Sequence, residues 1–413
     1  MNTGALEGVS KGSSKRWIFL GLATLSQVSV AAIRLGIPVL MPFIKGELNL
    51  SLTQVGLISS VVNGGAAAAG VPAGKAADRF GERLVLGYGT IASGIIILGI
   101  SLVESFFGFL SVLLLTGFAT TTCVPAGGRI VAAWFPQRER GTAMGVRQMG
   151  IPLGGAVAAV TLPSLAVIFG WRFALALAGV FAIGVGVVVL FLYQEPSAAA
   201  VNRGVRQTGT TTYLLAQKNI QALFLYGFIL SAGQWCYLTY LVLYLTESLG
   251  LAIAIAANLL AVGQICGAGG RIFWGVVSDR FFYGRRTPAL RLVGLLAVLA
   301  TVSISSFSSQ TPFWLVSLTV ALLGVSLSGS NGLTHTLASE LAGSRTAGIA
   351  VGMMNTAGFV GVIALTPVFG FFVDWGGSYR WAWIGLASMI VFAVAIVSWI
   401  DEKRVGEDGP SAV

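Results

Sequence analysis

Twelve long apolar stretches divide this chain and leave only short polar segments between most of them. The stretches cover residues 17–41, 52–73, 84–103, 108–133, 142–168, 172–193, 219–245, 253–277, 288–307, 312–337, 347–373 and 379–400. A helix needs about 20 residues to cross a bilayer, and the length of each stretch is close to this value. Hydrophobic residues make up 55% of the 413 positions and charged residues only 10%. We therefore predict an all-α membrane protein with 12 transmembrane helices.

Basic residues are concentrated in alternate loops. If the N-terminus is inside, the cytoplasmic side holds Lys11, Lys15, Arg16, Lys75, Arg79, Arg83, Arg138, Arg140, Arg203, Arg206, Lys218, Arg280, Arg285, Arg286, Arg291, Arg345, Lys403 and Arg404. The other side holds Lys45, Arg172 and Arg380. The positive-inside rule then places both termini in the cytoplasm and explains the net charge of +10 without a nucleic-acid partner. Residues 1–16 lack an apolar core, so we expect no removable signal peptide and a multi-pass protein of the cell inner (cytoplasmic) membrane.

A short polar signature occurs twice, about half a chain apart. GKAADRFGER covers residues 74–83 and GVVSDRFFYGRR covers residues 275–286. The repeat continues, because GTAMGV at 141–146 has a counterpart in GIAVGM at 348–353. Duplicated sets of spans are common in secondary transporters. We predict an N-terminal six-helix bundle over 1–194, a cytoplasmic linker over 195–218 and a C-terminal six-helix bundle over 219–413.

The first copy of the signature resembles the loop motif of the major facilitator superfamily. The matching residues are Gly74, Asp78, Arg79, Gly81 and Arg83, and the resemblance covers nearly the whole chain. It implies two pseudo-symmetric bundles that give alternating access to a site near the membrane midplane. It also implies that these residues form a conformational latch, with Gly275, Asp279 and Arg280 in the second half. Gly74 then fits a close helix approach and Gly81 a tight turn.

Four arginines lie inside predicted spans, and no Asp or Glu lies well inside any of them. They are Arg34 in span 1, Arg129 in span 4, Arg147 in span 5 and Arg271 in span 8. A charged group inside the membrane is usually kept for a partner, a pathway or a ligand. Cations without internal carboxylates predict an anionic ligand, and a planar guanidinium suits a carboxylate or a phosphate.

The four arginines differ in what they can reach. Arg34 is too far from the inner surface to extend into the headgroups and is the first candidate for a substrate ligand. Arg271 has two interpretations, a cavity residue or a partner of Asp279 in the latch. Arg129 and Arg147 lie nearer the cytoplasmic ends, where reaching the headgroups or pairing with the latch carboxylate is the simpler interpretation.

Two longer segments resemble the anion:cation symporter family, which carries organic anions. They are RLGIPVLMPFIKGELNLSLTQVGLISS, which begins at Arg34, and PAGGRIVAAWFPQRERGTAMG, which begins at Pro125. Arg271 is similar to the span 8 arginine of monocarboxylate transporters. The symporter family usually has acidic residues where this chain has Ile33 and Thr120, and those carboxylates take part in proton coupling. The anion preference therefore follows from the resemblance, while the coupling mechanism stays open.

Other polar side chains are candidates for lining a cavity, or for bridging helices. Gln148, Gln234, Tyr237 and Asn355 are the candidates for substrate contact, and Gln234 shares a helix face with Tyr237. His335, the single histidine, is a candidate proton carrier because imidazole titrates near neutral pH. The three cysteines have no paired spacing and predict neither a disulfide nor a metal site.

These features predict a secondary active transporter, of symport type, for a small organic anion such as a monocarboxylate. A co-transported proton or sodium ion is the expected partner, besides the lipid bilayer, and exchange of anions stays open. The alternative is proton-coupled multidrug or cation efflux by the same fold, which usually needs an acidic cavity residue. We expect no enzyme and no cofactor, because no catalytic constellation and no nucleotide-binding loop is present in the sequence.

Overall fold

The computed structural model describes residues 13–103, 105–136, 139–195, 211–343 and 346–402, which are helical with no strand among them. Within these residues, twelve helices are long and apolar enough to cross a membrane. They are Lys15–Val39, Leu52–Phe80, Glu82–Leu102, Phe106–Trp134, Arg140–Phe169, Trp171–Leu192, Lys218–Glu247, Ile253–Arg280, Arg286–Ser305, Phe313–Ala342, Ala347–Gly376 and Tyr379–Val397. We call them spans 1 to 12. The predicted all-α fold with twelve spans is confirmed.

The repeated signature lies mostly inside helices, which corrects the expectation of a loop. Span 2 continues to Phe80 and span 8 to Arg280, because the glycines with a left-handed backbone, Gly81 and Gly284, come only after these residues. The first loop begins only at Gly81, whose φ of 83° is a left-handed conformation that glycine adopts without strain. Lys75 and Arg79 extend from the last turns of span 2, where long cationic side chains reach the membrane surface.

Two short helices lie outside the spans. Met41–Leu48 follows span 1 and Thr211–Ala216 precedes span 7. The predicted first span ran to residue 41, whereas the observed helix ends at Val39 and a new helix starts. The new helix ends at Asn49, which has a φ of 50°. An eight-residue helix is too short to give the long apolar run from which the spans were predicted.

The described chain forms two compact units. The first comprises residues up to 37 together with 64–204, and the second comprises residues 38–63 together with 205 onwards. The first unit has a core in which Phe19, Val30, Cys123, Ile130 and Val189 are all buried. The second unit includes the short helix after span 1 and the first half of span 2, which the repeat pattern did not suggest.

Glycines allow helices within each unit to approach closely. In the first unit, a Cβ at Gly94 of span 3 would collide with the carbonyl oxygen of Gly179 in span 6. In the second unit, a Cβ at Gly361 of span 11 would collide with the carbonyl oxygen of Phe228 in span 7. Close backbone contact of this kind is how membrane helices gain packing energy in lipid.

Polar contacts in the second unit surround the start of span 2. The carboxylate of Asp374, at the end of span 11, accepts hydrogen bonds from the backbone N–H of Leu52 at 2.9 Å and of Thr53 at 2.7 Å. It also accepts one from the Thr53 hydroxyl at 2.6 Å. Lys45 pairs with Glu247 at 2.7 Å between Nζ and Oε1. Span 2 therefore begins with its first N–H groups satisfied by a carboxylate from another span.

Several predicted features lie outside the described residues. They include most of the predicted linker, residues 196–210, and the basic residues Lys11, Arg138, Arg203, Arg206, Arg345, Lys403 and Arg404. The protein is a multi-pass membrane protein, and its orientation and its division into bundles 1–194 and 219–413 stay predictions.

Candidate functional site

Arg34 lies in the last part of span 1, about one and a half turns before the helix ends at Val39. Its side chain is half-buried. Span 1 is held closely against span 5 around it, because a Cβ at Gly36 would meet Leu162 at 2.5 Å. Arg34 is the one charged residue of span 1 between Arg16 and Val39.

Gln27 of span 1 lies where spans 1 and 5 meet, and Gln148 lies on span 5 of the same unit. Gln148 of span 5 is half-buried. Two residues further, a Cβ at Gly150 would come within 3.0 Å of the Gln27 Cβ. The Oε1 atom of Gln27 is buried and accepts no hydrogen bond from the described residues. The contact between spans 1 and 5 is therefore polar as well as close.

The second unit contains a hydrogen-bonded polar cluster formed by spans 7, 8 and 10. Arg271 donates from Nε to the Ser328 carbonyl oxygen at 3.3 Å. Gln234 donates from Nε2 to the Ser328 hydroxyl at 3.3 Å and accepts at Oε1 from Asn331 Nδ2 at 3.2 Å. We call Gln234, Arg271, Ser328 and Asn331 the C-half cluster. It brings together two residues that the sequence predicted, Gln234 and Arg271.

His335 and Asn355 lie beside this cluster. Their side chains share a hydrogen bond, and His335 is near enough to Arg271 to be influenced by its charge. His335 is half-buried on span 10 and Asn355 is exposed on span 11. The only histidine of the chain is thus next to a guanidinium, in the unit that holds the cluster.

Tyr237 is not brought to the C-half cluster. Its ring is fully buried, and its hydroxyl lies against Gly263 of span 8, where a Cβ would collide with it. The hydroxyl makes no hydrogen bond within the described part of the chain. Tyr237 and Gln234 share one face of span 7, as the helix geometry predicts. In this structure, however, the tyrosine ring fills space between spans 7 and 8.

The latch residues of the first half form an ion-pair network at the end of span 2. Arg129 of span 4 pairs with Asp78 through Nη1 and with Glu82 through Nε at 2.8 Å. Arg129 thus pairs with the latch carboxylate, one of the two alternatives that the sequence left open. Arg83 donates from Nε to the Leu190 carbonyl oxygen at 2.7 Å. The first unit therefore links spans 2, 3 and 4 through charged groups.

The second half has a related network with the charges arranged differently. Asp279 pairs with Arg286, whose guanidinium also reaches Glu340 of span 10 at 3.2 Å. Arg280 is exposed at the end of span 8. In both halves the signature aspartate is connected to the C-terminal part of the fourth helix of that half, directly through Arg129 or by way of Arg286 and Glu340.

The signature glycines have separate roles. Gly81 makes the turn between spans 2 and 3, as expected, and a Cβ there would collide with Glu195. Gly74 and Gly275 face open space, since a Cβ at either position meets no other atom within 4 Å. The expectation of a close helix approach at Gly74 is therefore not met in this structure.

Sequence reasoning missed several residues of these networks. Glu82 is only 4% exposed and pairs with Arg129, and Glu340 pairs with Arg286. Ser328 is the shared acceptor of the C-half cluster. Glu82 stands inside the quoted signature, so a search for a carboxylate within reach of Arg129 would have found it. Nothing in the sequence marks Ser328 among the many serines of the spans.

The chemistry available here is recognition rather than bond making. Arginine and amide groups donate hydrogen bonds in fixed directions, which suits a carboxylate or another planar anion. No group of three metal-ligating side chains is found among the residues described.

The model of the Major Facilitator Superfamily matches residues 23–366 and, in a second, overlapping match, residues 223–412. A hexuronate transporter of Bacillus subtilis is 27% identical and covers 89% of this chain and 90% of its own length. The probable sulfoacetate transporter SauU of Cupriavidus necator is 26% identical and covers 94% of this chain and 96% of its own length.

Solved structures give the same fold. The crystal structure of a bacterial homologue of the human lysosomal transporter Spinster, in an inward-facing and occupied conformation, superposes with a TM-score of 0.80. The match covers 96% of this chain and 99% of that chain at 18% sequence identity. At this identity the likeness concerns the fold alone.

Proposed function

Because the chain belongs to the Major Facilitator Superfamily, we propose that it is a secondary active transporter which moves a small organic anion, in the simplest case a carboxylate, across the cytoplasmic membrane. Transport proceeds by alternating access of a site within the spans. The fold and the relatives are those of transporters and not of enzymes. Two relatives are named for hexuronate and sulfoacetate, both organic anions, which supports this substrate class.

The charge balance inside the spans is the observation that supports an anion most directly. Arg34, Arg147 and Arg271 lie within spans 1, 5 and 8. The described carboxylates all lie outside the spans or in their terminal turns: Glu47, Asp78, Glu82, Glu139, Glu195, Glu247, Asp279, Glu340, Asp374, Asp401 and Glu402. Arginines inside the spans favour an anion over the cationic drugs of the alternative function, because a cation would have to overcome repulsion at close range.

We assign Arg34 to the carboxylate and Arg271 to the second electropositive position. The bond from Arg271 Nε to the Ser328 carbonyl fixes the plane of its guanidinium, which reduces the entropy lost when an anion binds. Gln234, Gln148 and Asn355 supply neutral donors for the rest of the molecule. Tyr237 belongs to this proposal only if span 7 or span 8 shifts during the transport cycle.

His335 is the proposed coupling residue. It is the one histidine of the chain, a residue type whose free imidazole titrates near neutral pH, and it is influenced by the charge of Arg271. Replacement of His335 by Gln keeps the hydrogen bond to Asn355 feasible and removes the titration. Uptake by this variant that no longer responds to a pH gradient supports proton symport, whereas an unchanged response contradicts the role of His335.

We propose that the ion pairs of Asp78 and Asp279, together with the other residues of the two signatures, form the latch that sets the balance between conformations. We also propose that both termini lie in the cytoplasm, which the distribution of basic residues supports. Labelling of a cysteine placed at Lys45, with a membrane-impermeant maleimide on intact cells, tests this orientation. Labelling from outside supports it, and labelling only after lysis contradicts it.

The test of the anion site compares three variants in proteoliposomes. Arg34→Gln removes the charge, Arg34→Lys keeps the charge without the planar fork, and Arg172→Gln removes an arginine at the start of span 6. We expect KM for a hexuronate or for sulfoacetate to rise about 10- to 100-fold in Arg34→Gln, the size of one charged hydrogen-bonded contact. Arg34→Lys is expected to lie between Arg34→Gln and the unchanged protein.

Arg172 is the matched control, because its guanidinium lies over the Trp171 ring at 4.4 Å, outside the proposed site. Its replacement should leave KM unchanged. An unchanged KM in Arg34→Gln, with a folded protein and saturable uptake, would contradict the assignment of Arg34.

A further inference from the structure

The backbone hydrogen-bond ladder of span 4 is interrupted near the middle of the helix. One helix ends at Thr121, a turn follows at Thr122, and a second helix begins at Cys123. The Thr121 hydroxyl donates to the Gly117 carbonyl at 3.0 Å and the Thr122 hydroxyl to the Ala119 carbonyl at 2.7 Å. Pro125 has no N–H to offer the Thr121 carbonyl, so the backbone ladder is weakened at this point. We call residues 121–123 the span 4 break.

Arg147 of span 5 makes a direct contact with this break. Its Nη1 donates to the Cys123 carbonyl oxygen at 3.2 Å, and its side chain is only 2% exposed. Gly127 makes room for it, because a Cβ there would collide with the guanidinium. No carboxylate of the described residues pairs with Arg147. Its Nη1 is therefore directed at the backbone of span 4, while its buried Nε has no hydrogen-bond partner among the described residues.

The second half is interrupted at the corresponding position. The repeat pairs Gly141 with Gly348, and the same spacing pairs Thr122 with Gly329. Span 10 has a π-helical turn over Gly324–Ser328 and resumes as an α-helix at Asn331. Again an arginine contacts the break, since Arg271 donates to the Ser328 carbonyl from span 8.

The two arginines come from spans that do not correspond in the repeat, and the carbonyls that they contact lie two residues apart once the halves are aligned, because Cys123 corresponds to Ser330 and not to Ser328. Thr122 keeps helical angles, with a φ of −57° and a ψ of −30°, and its N–H bonds the Ala119 carbonyl at 3.2 Å, so the interruption is one of hydrogen bonding. A weakened hydrogen-bond ladder inside lipid is stabilised by donors from neighbouring helices. Interrupted helices at matching positions of two halves are typical of the moving parts of transporters. In the first half the inner segment Cys123–Trp134 carries Arg129, which pairs with Asp78 and Glu82.

We infer that Arg147 is a positioning residue that holds the span 4 break and thereby places the inner half of span 4, with Arg129, against the latch carboxylates. This role goes beyond the proposed anion site and does not depend on which solute is carried. It also separates Arg147 from Arg34: Arg147 contacts the protein backbone and not the solute.

Cys123 is a native labelling site within the break, so no further cysteine has to be introduced. It is fully buried, and its Sγ lies 3.4 Å from the hydroxyls of Ser26 and Thr90. The chain has three cysteines, so replacing Cys236 and Cys266 by Ala leaves Cys123 as the single target. The rate of its reaction with N-ethylmaleimide in proteoliposomes then measures how often the break opens.

In this background we compare Arg147→Met, Arg147→Lys and Gly127→Ala. Arg147→Met removes the donor, and we expect Cys123 to react about tenfold faster, as for the loss of one charged hydrogen bond. Gly127→Ala keeps the charge but displaces the guanidinium, and we expect the same direction of change. Arg147→Lys keeps a donor and is expected to restore most of the protection.

Transport gives the second measurement. We expect kcat to fall in Arg147→Met and Gly127→Ala while KM stays within about twofold, because the residue positions the latch and does not touch the solute. The Lys variant is expected to recover kcat. If Arg147→Met does not fold, as judged by gel filtration, the other two variants decide.

Equal Cys123 reactivity in all variants would overturn the inference. So would faster labelling with unchanged kcat, which would reduce Arg147 to packing, and so would a raised KM with unchanged kcat, which would make it a substrate ligand. The labelling needs no solute, so its result stands whether or not the anion proposal is correct.

Discussion

Arg129 pairs with two carboxylates that differ in burial. This difference predicts how strongly each variant of the ion-pair network is destabilised. Glu82 is only 4% exposed, whereas the Asp78 side chain is 72% exposed. Replacing Arg129 by Gln leaves the buried Glu82 carboxylate without a cation, a change that costs about 3–5 kcal/mol where both partners are buried. Because the Arg129 side chain is itself 31% exposed, water screens part of this loss. We therefore expect a smaller destabilisation, of about 2–3 kcal/mol.

Two further variants separate the contributions of the carboxylates. Asp78→Asn removes an exposed partner and should cost less than about 1 kcal/mol. The double variant with Arg129→Gln and Glu82→Gln removes the buried charge together with its partner, so most of the lost stability should return. From most to least stable, the expected order is wild type, Asp78→Asn, the double variant and Arg129→Gln.

Reversible unfolding in mixed micelles, followed by tryptophan fluorescence over a titration with denaturing detergent, measures the free energy of unfolding of each variant. Transport is measured in parallel, because the latch role of Asp78 predicts a loss of turnover in Asp78→Asn that its small stability change does not explain. A double variant no more stable than Arg129→Gln would refute the reasoning, as would an Asp78→Asn variant that is destabilised as much as Arg129→Gln.

Two other predictions concern the backbone at helix ends. Asp374→Asn keeps one acceptor oxygen for the N-terminus of span 2 but loses the charge. We expect about 1 kcal/mol of destabilisation in the same unfolding assay. No change in the free energy of unfolding would mean that water replaces the carboxylate. Gly81→Ala places a Cβ at a φ of 83° and against Glu195. We expect about 1–2 kcal/mol of destabilisation for this variant. The control is Gly74→Ala, whose Cβ faces open space and should leave the stability unchanged. Equal effects of the two alanines would contradict this account.

The spans could be predicted from the sequence because a bilayer imposes one length and one polarity on every crossing helix. The helix after span 1 could not, since its eight residues are too few to cross a membrane and lie next to a longer apolar run. The break of span 10 was also missed. Its residues are as apolar and small as their neighbours, and the π-helical turn depends on Arg271 and Trp274, which donate to the carbonyls of Ser328 and Val325.

The candidate site was predicted in part for a similar reason. Polar residues in lipid are few, so Gln234, Arg271 and His335 stand out in the sequence, and the structure places them near one another. Tyr237 was chosen from its position on span 7 alone. Whether an aromatic ring meets a cavity or another helix depends on the opposite span, here Gly263, which leaves room for the ring.

The class of solute is the central claim, and solid-supported membrane electrophysiology tests it most directly. Proteoliposomes with the wild-type protein and with Arg34→Gln are exposed in turn to a hexuronate, sulfoacetate, a neutral sugar and a cationic dye, with and without a pH gradient. We predict saturable currents or, where transport is electroneutral, pH changes inside the liposomes for at least one organic anion. In Arg34→Gln we predict much smaller responses at solute concentrations near the wild-type KM. Responses to the cationic dye alone, equal in both proteins, would contradict the account.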